Sequence, residues 1–130
     1  MSQPCPCGRL NPRGQRVSLD ACCARYLDGG VPAPDAESLM RSRYSAFVLE
    51  RRDHLLVTWH ANTRPTDLVF EPGVKWLGLE VKVHRVIDAD HAEVAFVARS
   101  RVGGRGQRLE ERSRFVREGG RWLYVDGELS

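Results

Sequence analysis

From about Lys75 onward the chain reads in period two, and short turn signals cut that pattern into four runs. The runs LEVKVHRVI, AEVAFVARS, QRLEERSRFV and RWLYVDG are rich in β-branched and aromatic residues. The breaks DAD, VGGRG and EGG suit hairpins, which make neighbours in sequence neighbours in space. This half of the chain therefore predicts an antiparallel meander. A meander alone leaves an apolar face open, so an earlier segment must cover it.

That cover is legible upstream. Asp35 is placed to cap a helix over AESLMRSRYSAFVLERR, with Glu37 near its positive end. Met40, Tyr44, Phe47 and Val48 form one apolar stripe at helical spacing, and Arg41 and Arg43 flank it. Asp53 is expected to cap a second short helix, HLLVTWH, with Leu55, Leu56 and Trp59 on one side. Thr63-Arg64-Pro65 ends it. Helices first and then a meander predict an α+β fold, with helices packed on a curved antiparallel sheet.

All four cysteines precede this domain. Cys5 and Cys7 form a C-x-C pair, and Cys22 and Cys23 are adjacent. An extended C-x-C projects both thiols to one side, and Gly8, Pro12 and Gly14 suit a chain reversal between the pairs. Four thiolates around Zn2+ make a closed tetrahedral site, which is structural rather than catalytic. Such an ion organises a segment too small to have its own core. A redox pair or idle thiols are the competing readings, although neither pair has the C-x-x-C spacing of thioredoxin-like folds. The stretch LDGGVPAPD reads as a linker. The expected organisation is a zinc-binding module at 1–27, a linker at 28–34 and the α+β domain at 35–130. The linker's composition predicts few contacts between module and domain.

CPCG followed by CC resembles the SEC-C motif, a small zinc module also found at the C-terminus of the SecA translocation ATPase. The order of helices and strands resembles the nuclear-transport-factor-2-like cone. MRSRYSAF, TWH and the closing ERSRFVREGGRWLYVDG resemble the YchJ-type family of uncharacterised bacterial proteins, which join these two parts. The resemblance implies zinc on Cys5, Cys7, Cys22 and Cys23, and it brings no activity. In SecA the module contacts a chaperone and the ribosome, so a translation- or export-linked protein partner is expected. The leading function is then a protein-interaction adaptor.

The alternative uses the cone's interior. On QRLEERSRFV the residues Leu109, Glu111, Ser113 and Phe115 share one face, and the apolar pair marks it as the inner one. An inward carboxylate needs a partner or a proton. Arg41, Arg43, Tyr44 and His60 are the candidate partners, with Trp59 beside them, and Glu111 with His60 would make an acid–base pair. A Glu111–arginine bridge from sheet to helix, purely structural, is the preferred reading. A small-molecule ligand without chemistry is the other, and no catalytic residue is assigned. His54, His84 and His91 read as solvated.

The net charge of +3 is too small to imply nucleic-acid binding. Arg99 and Arg101, with Arg108, Arg112 and Arg114, form a basic strip that lacks aromatic residues for base stacking. A solvated face is expected there, and nucleic acid is not expected as a partner. No apolar run approaches the roughly 18 residues of a membrane span. MSQPCPCGRLNPRG has no signal-peptide core, so a cytoplasmic protein is expected.

Overall fold

The computed structural model describes residues 3–129, so the outermost ends of the expected module and domain lie outside it. Three helices, α1 (Ala24–Leu27), α2 (Ala36–Leu49) and α3 (Arg52–Val57), precede four strands. The strands are β1 (Val74–Asp88), β2 (His91–Val102), β3 (Arg105–Glu118) and β4 (Arg121–Leu129). They form one antiparallel sheet in the order β1-β2-β3-β4, the expected meander. The fold is α+β.

Two of the hairpins turn on glycine pairs. Gly103 and Gly104, then Gly119 and Gly120, have φ of 57°, 79°, 58° and 77°. Both central residues of a type I′ turn need this left-handed backbone, which only glycine adopts at little cost. Register shifts between Trp76 and Gly78, Val81 and Val83, and Val86 and Asp88 interrupt the β1–β2 ladder. Such bulges bend a strand and increase its twist.

Ala92, Val94, Phe96 and Ala98 on β2 and Phe115 on β3 meet Leu39, Met40 and Tyr44 of α2 in a buried cluster. The cap of α2 is as expected: Asp35 Oδ1 accepts from the Ser38 N–H at 2.7 Å. The Asp53 cap is not formed. Arg51 holds the cap position of α3 without a side-chain bond, and Asp53 lies in the first turn. There its charge still faces the positive helix end. Beyond α3 the chain pairs with β4: Tyr124 N–H donates to Thr58 O at 2.8 Å, and His60 N–H to Tyr124 O at 2.7 Å. The helical layer is thereby fastened to the sheet's edge.

The N-terminal segment is a small hairpin followed by α1, with bridges Pro4–Ser18 and Leu10–Arg16. Asn11 Oδ1 closes its tip by accepting from the N–H groups of Arg13 and Gln15. The four cysteines belong to the same buried cluster as Leu39 and Met40. Module and domain therefore share a core, and the sparse contact expected across the linker is corrected. The glycines and prolines shape the connection without separating what it connects. Among the described residues no helix is long and apolar enough to cross a membrane.

Candidate metal centre and interior cavity

The sulfurs of Cys5, Cys7, Cys22 and Cys23 all lie within 4.8 Å of one another. Cys7 Sγ is 3.7 Å from Cys22 Sγ, which is 4.0 Å from Cys23 Sγ. A tetrahedral site with metal–sulfur bonds of about 2.3 Å has sulfur–sulfur edges of about 3.8 Å. The separations fit that tetrahedron and are far too long for disulfides. All four residues are at most 2% exposed. In so small a space a second thiolate is costly beside the first. Hydrogen bonds from Cys22 and then Cys23 bring Cys7 down to about 7, whereas Cys23 is pushed up, first by its bond to Cys22. A divalent cation removes this conflict by letting all four ionise.

Local backbone makes the cluster. Cys5 N–H is held by Val17 O at 2.9 Å across the hairpin, and Gly8, at φ 74°, turns the chain after Cys7. Cys22 and Cys23 stand at the start of α1, where Leu19 O accepts from Cys22 N–H at 3.1 Å.

The arginines around it divide the work. Arg13 and Arg16 are exposed, and Arg25 donates to Cys22 O at 3.0 Å. Arg41, expected at the interior site, instead donates to Cys7 O at 2.9 Å and pairs with Glu37 at 2.9 Å. Arg9 joins Glu37 from the module at 3.2 Å. Burial raises the Glu37 carboxyl, but hydrogen bonds from Arg41 and then Arg9 prevail and hold it below the ordinary range. Arg41 thus braces the metal module against α2.

Beneath α2, the sheet encloses a cavity of about 300 Å³. Arg43, Tyr44, Trp59, Glu111 and Ser113 line it, as do Leu109 and Phe115, so the inner face read on β3 is correct. Arg41 and His60 do not line it. His60 Nε2 meets Glu118 at 2.9 Å, and its Nδ1 accepts from Asn62 N–H at 3.1 Å. The expected Glu111–His60 pair is therefore absent, because His60 is taken instead by Glu118 at the C-terminal end of β3.

Arg43 is 6% exposed. Its Nη1 donates to Leu55 O at 2.8 Å and Thr58 Oγ1 at 2.7 Å. The guanidinium lies 5.0 Å from the Trp59 ring centre and 4.5 Å from that of Tyr124. Burial lowers its pKa to about 10, which leaves it charged at neutral pH. Among the described residues no carboxylate pairs with it. Glu111 instead accepts from the Ser113 hydroxyl and lies over Gly127, where a Cβ would collide with its carboxylate. The bridge from Glu111 to Arg41 or Arg43 is thus corrected. Trp59 Nε1 is buried without a hydrogen-bond partner.

Tyr124 was missed, and burial, followed by the Glu111 charge, pushes its hydroxyl up to about 12. Alternation along RWLYVDG was the available signal. His54 is not solvated: its Nε2 is 2.9 Å from Ser42 Oγ, whose own proton goes to Leu39 O at 2.7 Å. His84 is half-buried with Nε2 unpartnered, while His91 is exposed beside Asp88. The basic strip is laced with acids, Arg99 facing Glu80, Arg108 facing Glu110 and Arg114 facing Asp126 and Glu128.

The model of the YchJ middle domain, described as NTF2-like, matches residues 35–127. A UPF0225 protein of Polaromonas naphthalenivorans is 63% identical, with 98% of each chain covered. One from Bordetella pertussis is 55% identical over 96% of this chain and 92% of its own. A SEC-C-motif-containing protein of Rhodopseudomonas palustris, solved in solution, superposes with a TM-score of 0.83 at 30% identity. That match covers 98% of this chain and 99% of the other. The crystal structure of a SEC-C-motif-containing protein from Psychrobacter arcticus gives 0.81 at 30% identity, over 98% and 83%.

Proposed function

From the premise that this chain belongs to the YchJ-type UPF0225 family, we propose that it binds a small molecule in the cone cavity. A zinc ion on Cys5, Cys7, Cys22 and Cys23 holds the N-terminal module to α2. The observation that carries the reading is Arg43, a buried cation on the wall of a cavity of about 300 Å³ that, among the described residues, has no carboxylate within ion-pair distance and feels Glu111 only through space. A buried charge is ordinarily paired, and a hollow, unpaired interior is what a ligand site has and a structural network lacks. Zinc is supported by the all-sulfur donor set and its tetrahedral spacing, a closed site with no position for a substrate. A reducing cytoplasm, which keeps the thiols available, is the compartment that suits this reading.

The test is a thermal-shift screen of the zinc-loaded protein against small metabolites. Leu109 lines the cavity and is 39% exposed, so it marks the open end. A hit should raise the melting temperature of the native chain and not that of Leu109→Trp, which closes the mouth. Hits indifferent to Leu109→Trp would refute the cavity as the site.

An adaptor role for the zinc module is the second reading. Leu10 favours it, standing 56% exposed on the module's hairpin beside the exposed Arg13 and Arg16. The SEC-C resemblance suggests a translation- or export-linked partner. Cosedimentation with purified ribosomes, lost in Leu10→Asp, is the expected result; no cosedimentation of the native chain counts against it.

A further inference from the structure

We propose that the cavity's ligand is a small aromatic monocarboxylate, its carboxylate received by the free edge of Arg43 and by the Trp59 indole N–H. The inference rests on the cavity-binding reading above and names its substrate class.

The donors come first. Both bonds that fix Arg43 leave from Nη1, to Leu55 O and Thr58 Oγ1. Nε and Nη2, the two nitrogens on the other edge of the guanidinium, make no hydrogen bond among the described residues. Two parallel N–H groups on that edge are the fork that matches a planar carboxylate. Trp59, whose ring lies under the same guanidinium, adds a buried indole N–H with no acceptor. An indole nitrogen can only donate. The unsatisfied groups at this end are therefore all donors, and a carboxylate's two oxygens have the lone pairs for all of them.

Glu111 sets the charge. It lines the same cavity with an oxygen not used by Ser113. Its negative charge tolerates a monoanion held on Arg43 and disfavours a dianion such as a phosphate monoester. The body of the ligand is set by what remains: Phe96, Trp76 and Phe115 give an apolar, aromatic wall. A cavity of about 300 Å³ is at the small end of ligand pockets, which suits one or two rings.

The test titrates benzoate, phenyl phosphate, benzamidine and benzyl alcohol into the zinc-loaded full chain, followed by the indole N–H resonances of its three tryptophans. Benzoate should bind most tightly, move the Trp59 indole proton downfield as it gains an acceptor, and bind at least tenfold more weakly to Arg43→Lys. Should Arg43→Lys fail to fold, Glu111→Gln decides: removing the repelling charge should tighten benzoate several-fold and leave benzyl alcohol unchanged. Equal benzoate affinity in Glu111→Gln would then overturn the proposal. Tighter binding of phenyl phosphate or benzamidine, or a Trp59 resonance unmoved by saturating benzoate, would also overturn it. Benzyl alcohol entering where benzoate does not would sink the carboxylate and leave the cavity reading standing. Exclusion of all four probes would sink both.

Discussion

Arg43 and Glu111 line one cavity and form no ion pair with each other. Arg43 is held by Leu55 O and Thr58 Oγ1 against the Trp59 and Tyr124 rings, and Glu111 takes the Ser113 hydroxyl. Cation–π contact and two hydrogen bonds keep the guanidinium buried, and its charge is left available. The helix and the sheet therefore do not need an Arg43–Glu111 bridge to stay together.

Glu111→Gln follows from this. The amide oxygen still accepts from Ser113, and no ion pair is broken, so stability should change by less than about 1 kcal/mol. Urea unfolding of the zinc-loaded protein measures it. A loss above about 3 kcal/mol, the range for breaking a buried pair, would show that Glu111 is Arg43's structural counter-charge after all.

Metal content tests the cysteine cluster. The purified chain should carry one zinc, and Cys7→Ser should lower that content and destabilise the whole protein. The reason is packing: the four cysteines share a buried cluster with Leu39 and Met40, so Cys7→Ser would leave three thiols and a serine hydroxyl without their metal in the main core. Chelation should therefore broaden resonances of α2 as well as those of the N-terminal hairpin. Native protein without metal, with all four thiols titrating freely, would rule the centre out.

The same packing predicts what truncation does. A chain beginning near Ala36 should lose much of its melting temperature, because it exposes the face of α2 that the module covers. Arg41→Ala is the milder version, removing the bonds to Cys7 O and Glu37. It should cost about 1–3 kcal/mol, as expected for charged hydrogen bonds, and leave ligand binding in the cavity intact. Truncated protein with an unchanged melting temperature would show that module and domain are independent.

Arg41 also shows where sequence reading reaches its limit. Residues two apart on a helix point about 200° apart, so Arg41 and Arg43 could never both face the sheet. That spacing was legible, and it separates the brace from the cavity cation. Local patterns were enough for the meander, the glycine turns, the Asp35 cap and the inward face of Leu109, Glu111, Ser113 and Phe115. The thiol cluster was legible because C-x-C and CC leave few ways to arrange four sulfurs. Partners at long range were not legible. Glu111 finds Ser113 on its own strand, while Arg43 Nη1 goes to Leu55 O, a contact between helices that periodicity does not encode. The burial of the module was hidden for a similar reason: the linker's composition describes its own conformation, not the fit of the surfaces at its ends.

His54 gives the last prediction, a pH dependence. Its ring is held against Ser42, and burial, followed by the nearby Arg43 charge, depresses its pKa from 6.5 to about 4. The unfolded chain keeps the ordinary value, so between those two pH values the unfolded state binds the extra proton. Stability is complete above about pH 6.5 and falls as pH drops towards 4, by at most about 3 kcal/mol. Zinc loss in acid adds its own decline, because thiolates must stay ionised to hold the metal. His54→Gln separates the two. The amide is always neutral and can still bond Ser42, so the variant should keep the metal-dependent fall and lose the His54 part. Denaturation midpoints from pH 4 to 7 should therefore drop more steeply for the native chain than for His54→Gln. Parallel profiles would mean that His54 titrates alike folded and unfolded, and that burial beside Arg43 does not hold the ring neutral.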